Sequence, residues 1–285
     1  LIASSSFIPH RSSFETMLTR DEFRKRFSTN AIIGMVHVAA LPGAPRFEGS
    51  MSAVIKAAIR DARALREGGC DAMAFENFGD RPFFKESVPA ETIAGLTRVI
   101  AEVFAAVPLP FGVNVLRNDA ASAIAIAAAT GAAFIRVNVH TGAMLTDQGI
   151  IEGRAAETLR KRGALSPDVL IFADHMVKHA APLASIDEVH AAKDLRERGL
   201  ADGIIISGSE TGAEADRASF ARVRDALPET PILIGSGLTE GNASAFRAAD
   251  GAIVGTSIKI DGRVEAPVDP DRVARLVAAF KRTGS

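Results

Sequence analysis

From residue 31 onward, short runs rich in β-branched and aromatic residues alternate with longer segments in which Ala, Arg and Glu recur at helical spacing. That alternation predicts parallel strands joined by crossover helices. Strands are predicted over residues 32–38, 71–76, 111–116, 133–139, 169–174, 203–207, 232–235 and 252–255. Helices are predicted over 51–67, 90–106, 119–130, 152–162, 185–198, 214–226, 240–248 and 271–281, one after each strand. Glycine recurs at the helix-to-strand joints, as in Gly68-Gly69-Cys70-Asp71 and Thr130-Gly131-Ala132, where it supplies the left-handed conformation that ends a helix. Eight such units imply an α/β fold, a closed (β/α)8 TIM barrel. An open doubly wound sheet usually has fewer strands and a G-x-G-x-x-G turn after the first, and no such turn follows the first strand here.

The length of 285 residues suits one barrel domain over 31–282, preceded by an extension over 1–30 with a short helix capped by Thr19. Met17 reads as a natural start, so residues 1–16 are expected to be an appended or disordered leader. With 47% hydrophobic and 24% charged residues, the chain has ample material for a core. A formal charge of −1, with no basic run interleaved with aromatics, excludes the footprint of a nucleic-acid binder. No apolar run is long enough for a membrane span and no signal-peptide pattern opens the chain, so a cytoplasmic location is expected. Cys70 is the single cysteine, which excludes an intrachain disulfide and reads as a buried small hydrophobe.

Polar residues cluster where barrel chemistry is built, at the C-terminal ends of the strands. The first strand ends at His37, the second at Glu76-Asn77, and the third at Asn114 with Arg117-Asn118 beyond it. The fourth carries Arg136 and Asn138 on one face by period-two alternation, and the fifth ends in Asp174-His175 with Lys178 and His179 just after. Glu76, Asp174, His37, His175 and Lys178 are the candidates for proton transfer, because carboxylates, imidazoles and amines with shifted pKa values do that work. Asn77, Asn114, Arg117, Arg136 and Asn138 are the candidates for orienting substrate, while His140, His179 and His190 read as surface or loop residues. No strand carries an interior lysine, so Schiff-base chemistry is not expected.

The last two strands end in small, hydroxyl-rich turns, Gly235-Ser236-Gly237 and Gly255-Thr256-Ser257. Glycine lets backbone amides approach an anion, a helix N-terminus adds partial positive charge, and barrels that bind phosphate often use these two loops. Ser207-Gly208 opens a third such loop, 207–212, which could wall the same pocket. A small, phosphorylated ligand is therefore expected. No organic cofactor is expected. A divalent metal across His37, Glu76, Asp174 and His175 stays open but unassigned, since no H-x-H or H-E-x-x-H spacing supports it. The loops 39–50 and 78–89, the latter with Phe83-Phe84, are long enough to cover the mouth or to make an oligomer contact.

Two stretches, Gly34-Met-Val-His37-Val-Ala-Ala-Leu-Pro42-Gly43-Ala-Pro45 and Gly69-Cys-Asp71-Ala-Met-Ala-Phe-Glu76-Asn77-Phe78-Gly79-Asp80-Arg-Pro82-Phe83, resemble the BtpA/SgcQ family. Gly112-Val-Asn114-Val-Leu-Arg117-Asn118-Asp119, Phe134-Ile-Arg136-Val-Asn138, Phe172-Ala-Asp174-His175-Met-Val-Lys178-His179 and Val254-Gly255-Thr256-Ser257-Ile-Lys259 extend the likeness over about residues 32–277. The resemblance implies a barrel similar to the ribulose-phosphate-binding barrels. Members include a protein linked to photosystem I biogenesis and others labelled nucleosidases near sugar-uptake genes. It implies an enzyme acting on a ribose-like or phosphorylated sugar, most plainly an N-glycosidic hydrolase of nucleosidase type. The alternatives are a non-enzymatic assembly protein of the photosystem biogenesis kind and a sugar-phosphate isomerase or epimerase. A homo-oligomer is in keeping with such barrels.

Overall fold

Eight parallel strands close on themselves in the computed structural model, which describes residues 17–208 and 212–281. The barrel strands are β1 (Ala31–His37), β2 (Ala72–Glu76), β3 (Phe111–Asn114), β4 (Phe134–Val137), β7 (Leu170–His175), β9 (Gly203–Ile206), β10 (Ile232–Ile234) and β11 (Gly251–Val254). Around the ring they run β1-β11-β10-β9-β7-β4-β3-β2. All eight coincide with the strands predicted from the sequence. In this order β3 and β4 stand across the barrel from β10 and β11.

Register places polar strand ends side by side: His37 is level with Glu76, and Glu76 with Asn114. Outside the sheet lie α2 (Met51–Glu67), α3 (Ala90–Ala106), α4 (Ala120–Thr130), α5 (Ala155–Leu165), α6 (Glu188–Lys193), α7 (Arg217–Ala226) and α8 (Pro270–Lys281). Helix α4 begins at Asp119, whose carboxylate accepts from the Ser122 amide, and ends at Gly131 with φ 77°. The helix-facing core includes fully buried Leu65, Phe75, Val99 and Ile124. Cys70 belongs to that core, and burial pushes its thiol up to about 12, which leaves it inert.

Helix α1 (Arg20–Phe27) closes the opposite end of the barrel from the polar strand ends. Its Thr19 N-cap and Glu22 form a reciprocal capping box, which sets where the helix starts. Phe23 and Phe27 then meet Phe172 and Phe134 inside the sheet, with ring centroids 5.9 Å apart for Phe23–Phe172 and for Phe27–Phe134. Each buried phenylalanine contributes roughly 1.5–3 kcal/mol of transfer free energy.

Two parts of the chain depart from the sequence-based expectation. The helix expected over 240–248 is a single 3-10 turn, Ala243–Phe246. Asn242 accepts from the Thr239 amide and donates to the Gly237 carbonyl, so its side chain ties the segment back to the preceding loop and competes with helix formation. The second departure is a three-stranded antiparallel sheet made by β5 (Ala143–Thr146), β6 (Gly149–Glu152) and β8 (Ala180–Pro182) in the order β6-β5-β8. It joins the loops that follow β4 and β7, and Met144 and Ile151 pack with Val139 and Val177 in a small separate core. Among the described residues, no helix is long and apolar enough to cross a membrane.

Candidate active site

The strand ends converge on a cavity of about 750 Å³ whose walls include His37, Glu76, Arg117, Arg136, Asn138 and Lys178. Arg136 and Asn138, placed on one face by strand alternation, both reach Asp174 on the neighbouring β7. Arg136 Nε donates to Asp174 Oδ2 at 2.9 Å and its Nη2 to Oδ1 at 2.8 Å. Asn138 Nδ2 adds 2.9 Å to Oδ2, and the Ser207 hydroxyl lies 3.4 Å from Oδ1. Burial works against the Arg136 charge, but Asp174 outweighs it and holds the guanidinium above its ordinary pKa. With both carboxylate oxygens occupied and its side chain closed to solvent, Asp174 is a brace for the wall. Asn138 Oδ1 is buried, belongs to a residue of that wall and accepts no hydrogen bond from the described residues. An unsatisfied buried acceptor is costly and suits a ligand donor such as a hydroxyl.

Glu76 presents a different picture. Its Oε1 accepts from Asn114 Nδ2 at 2.8 Å, while Oε2 stands 3.7 Å from His37 Nε2, and the residue lines the cavity. His37 stacks on Phe78 with centroids 4.5 Å apart. Burial, then the charges of Lys259 and Lys178, hold the imidazole pKa well below its usual value, so His37 is neutral at neutral pH. Burial together with Arg136 lowers Lys178 to about 8. Its Nζ makes no hydrogen bond to any described residue and opens on the cavity. Arg117 fixes the base of that lysine by donating from Nη2 to the Lys178 carbonyl at 2.7 Å.

Across the mouth, Gly235-Ser236-Gly237 and Gly255-Thr256-Ser257 line the same cavity. Bare backbone is needed there: a Cβ on Gly235 would lie 2.3 Å from Ile205, and one on Gly255 3.0 Å from the His37 ring. Gly237 has φ 68° and sits so close to the Ala213 carbonyl that a Cβ would stand 2.1 Å from its oxygen. The Ser236 hydroxyl is committed to the fold, accepting from the Gly208 amide at 3.0 Å and donating to Ala213 O at 3.1 Å. Because the helix after β10 is only a 3-10 turn, this side of the cavity presents loop backbone rather than the N-terminus of a long helix.

A model of the BtpA family matches residues 28–282. The chain belongs to the BtpA family. It is 45% identical over 261 residues to the photosystem I biogenesis protein BtpA of Synechocystis, covering 91% of each chain. It is 34% identical to the sgc region protein SgcQ of Escherichia coli, covering 87% of this chain and 92% of that one. The barrel is similar to phosphoribosyl anthranilate isomerase of Thermococcus kodakaraensis, with a TM-score of 0.55 at 17% identity over 89% of this chain and 100% of that one. It is likewise similar to orotidine 5'-phosphate decarboxylase of Pyrococcus horikoshii, with a TM-score of 0.55 at 16% identity over 88% and 100%. At these identities the two structures speak for the fold alone.

Several expected site residues of this BtpA-family chain lie off the cavity. Asn77 is buried behind the wall, where its amide bridges Asp80 and the Leu116 backbone. Asn114 acts through Glu76. The His175 ring turns outward to the Glu188 carbonyl at 2.8 Å, and Ser207 and Gly208 are held by Asp174 and Ser236. The metal set of His37, Glu76, Asp174 and His175 therefore does not meet, and the described residues hold no group of three or more His, Cys, Asp or Glu that could bind a metal ion. His140, expected at the surface, is instead buried with Nε2 at 2.8 Å from the Gly199 carbonyl. His179 and His190 are exposed. Of the loop 207–212, residues 209–211 lie outside the described part, as do residues 1–16. Phe83 lines the cavity while Phe84 is 58% exposed.

The sequence reading also passed over residues that the fold brings in. Phe78 and Arg81 line the mouth, with the Arg81 guanidinium 4.5 Å from the Phe78 ring centroid and paired to Glu265 at 2.8 Å. Asp147, at the tip of the β5–β6 hairpin, reaches the same wall. The signal for that hairpin was present in the Asp147-Gln148-Gly149 turn between two short apolar runs.

Proposed function

We propose that this BtpA-family barrel is an enzyme whose mouth takes a small, phosphorylated, ribose-like substrate and cleaves an N-glycosidic bond. The observation that carries the reading is the division of the cavity into two unlike walls. One wall offers the Glu76 carboxylate and an Asn138 acceptor that no described residue satisfies; the other is a pair of side-chain-poor glycine loops. A sugar phosphate fits that division, with its phosphate on the loop amides and a ring hydroxyl donating to Asn138 Oδ1. Glu76 is then the group placed to balance positive charge developing at the anomeric carbon or to take a proton from attacking water. Asp174 takes no proton in this scheme; it holds Arg136 and Asn138 in place.

The test is a thermal-shift panel of nucleoside monophosphates, nucleosides, ribose 5-phosphate and inorganic phosphate, followed by chromatography for released base. Saturable stabilisation by phosphorylated members and liberation of base support the reading. Stabilisation without release directs attention to isomerase chemistry, and no stabilisation removes the sugar-phosphate reading.

A second reading, docking in an assembly process, draws on an exposed apolar pair. Leu145 and Ile150 face each other across β5 and β6 at 51% and 43% exposure. Charged substitutions at that pair that abolish a biological role while leaving ligand binding intact support it.

A further inference from the structure

Lys178 is the one cavity cation whose head group has neither a carboxylate clamp nor a hydrogen bond among the described residues. Arg136 is spent on Asp174, and Arg117 donates to the backbone of Lys178 itself. The lysine stands three residues beyond the end of β7, outside the strand interiors where a Schiff-base amine is normally expected. Its carbonyl is pinned at 2.7 Å by Arg117, so the side chain springs from a fixed point toward the mouth. The charges of Arg136 and Arg117 disfavour its protonation, and those of the Glu76 and Asp174 carboxylates favour it. A desolvated amine beside other cations is the arrangement that makes lysine a nucleophile toward carbonyls.

From this geometry we infer that Lys178 condenses with the aldehyde or ketone of an open-chain phosphorylated sugar to form an imine in the barrel mouth. The inference rests on the proposed sugar-phosphate reading of the cavity, the carbonyl being that of the open-chain sugar phosphate which N-glycosidic cleavage releases. The neutral Nζ adds its lone pair to the carbonyl carbon, the carbonyl π electrons pass to oxygen, and that oxygen takes a proton. The nitrogen of this carbinolamine has given up one proton, for which the Glu76 carboxylate, whose charge acts on Lys178 across the cavity, is the proposed acceptor. The hydroxyl, protonated in turn, leaves as water while the nitrogen lone pair closes the C=N bond. Ammonium and carbonyl thus give a protonated imine and one water, with no oxidant or reductant. The lowered pKa of about 8 supplies a usable fraction of neutral amine at neutral pH.

The experiment incubates the full chain with ribose 5-phosphate, and in parallel with ribose, in the presence of cyanoborohydride, and maps the reduced adduct by peptide mass spectrometry. The expected result is one saturable adduct on the peptide containing Lys178, displaced by inorganic phosphate and rising with pH through about 8. It is absent from Lys178→Arg and from Lys178→Met, the second variant guarding against misfolding of the first. Adducts spread evenly over surface lysines in the wild type, which needs no variant, overturn the inference. Thermal shift on the same samples separates the two failures. Stabilisation by ribose 5-phosphate without an adduct on Lys178 overturns the imine and leaves the sugar-phosphate site standing. Neither stabilisation nor adduct overturns both.

Discussion

Arg136 and Asp174 meet in two parallel hydrogen bonds, 2.9 Å and 2.8 Å long, on adjacent strands with both side chains almost sealed from water. Removing one member leaves the other as an uncompensated buried charge. Asp174→Leu is therefore expected to lower unfolding free energy by about 3–5 kcal/mol. The double variant Arg136→Met/Asp174→Leu is expected to recover most of that loss while still failing to bind ligand. Denaturant unfolding together with a binding assay checks both halves, and a double variant no more stable than the single one removes the charge-pairing explanation.

Glu76 is expected to separate chemistry from folding. Glu76→Gln keeps an oxygen for Asn114 Nδ2, so the melting temperature should change little, while turnover should fall by about 10²–10⁴-fold. Steady-state kinetics on the substrate found by the ligand panel is the measurement. Unaltered kcat would take Glu76 out of the proton-transfer step.

Acid should weaken the fold before most carboxylates titrate. His37, His140 and His175 all have pKa values held below the ordinary 6.5, chiefly by burial. A group whose folded pKa is depressed in this way binds its proton more readily in the unfolded chain. Its contribution is fully present above about pH 6.5 and is lost as pH falls from there toward the folded value, at up to about 1.4 kcal/mol per pH unit per histidine. Denaturant midpoints between pH 7.5 and about 5 should show the decline, and His140→Gln should make it shallower. A flat profile in the parent chain would contradict the buried neutral state of these rings.

Gly255 tests the anion wall. In Gly255→Val the new Cβ starts 3.0 Å from the His37 ring and the branched side chain fills the approach to the loop amides. Stabilisation by a phosphorylated ligand at a hundredfold excess over Kd, about 2.7 kcal/mol in the parent chain, is expected to vanish. Retention of that thermal shift would place the phosphate elsewhere, with Arg117 and Lys178 the next residues to substitute.

The barrel was legible in the sequence because each strand is a short β-rich run, most are followed by a helix and several joints carry a glycine, and these signals are local. The grouping of Arg136 with Asn138 was legible for the same reason, through period-two alternation within one strand. What each side chain does with its neighbours was not local. Nothing near Asp174 in the sequence indicates that three side chains at the C-terminal ends of β4 and β9 saturate it, nor that His175, one residue on, turns away to Glu188. The small β6-β5-β8 sheet joins segments separated by a whole βα unit. The helix expected over 240–248 failed because Asn242 finds better partners in Thr239 and Gly237 than a helix offers.

Helix α1, with Phe23 and Phe27 wedged against Phe172 and Phe134, gives the barrel a floor. The described residues thus leave the cavity open at the polar strand ends and closed behind them. Under the proposed cleavage, water, reactant and both fragments would pass the same rim, and the fragment seated deeper would depart last. Until it did, the next arrival would be shut out, and that product would act in the kinetics as a competitor of its own precursor.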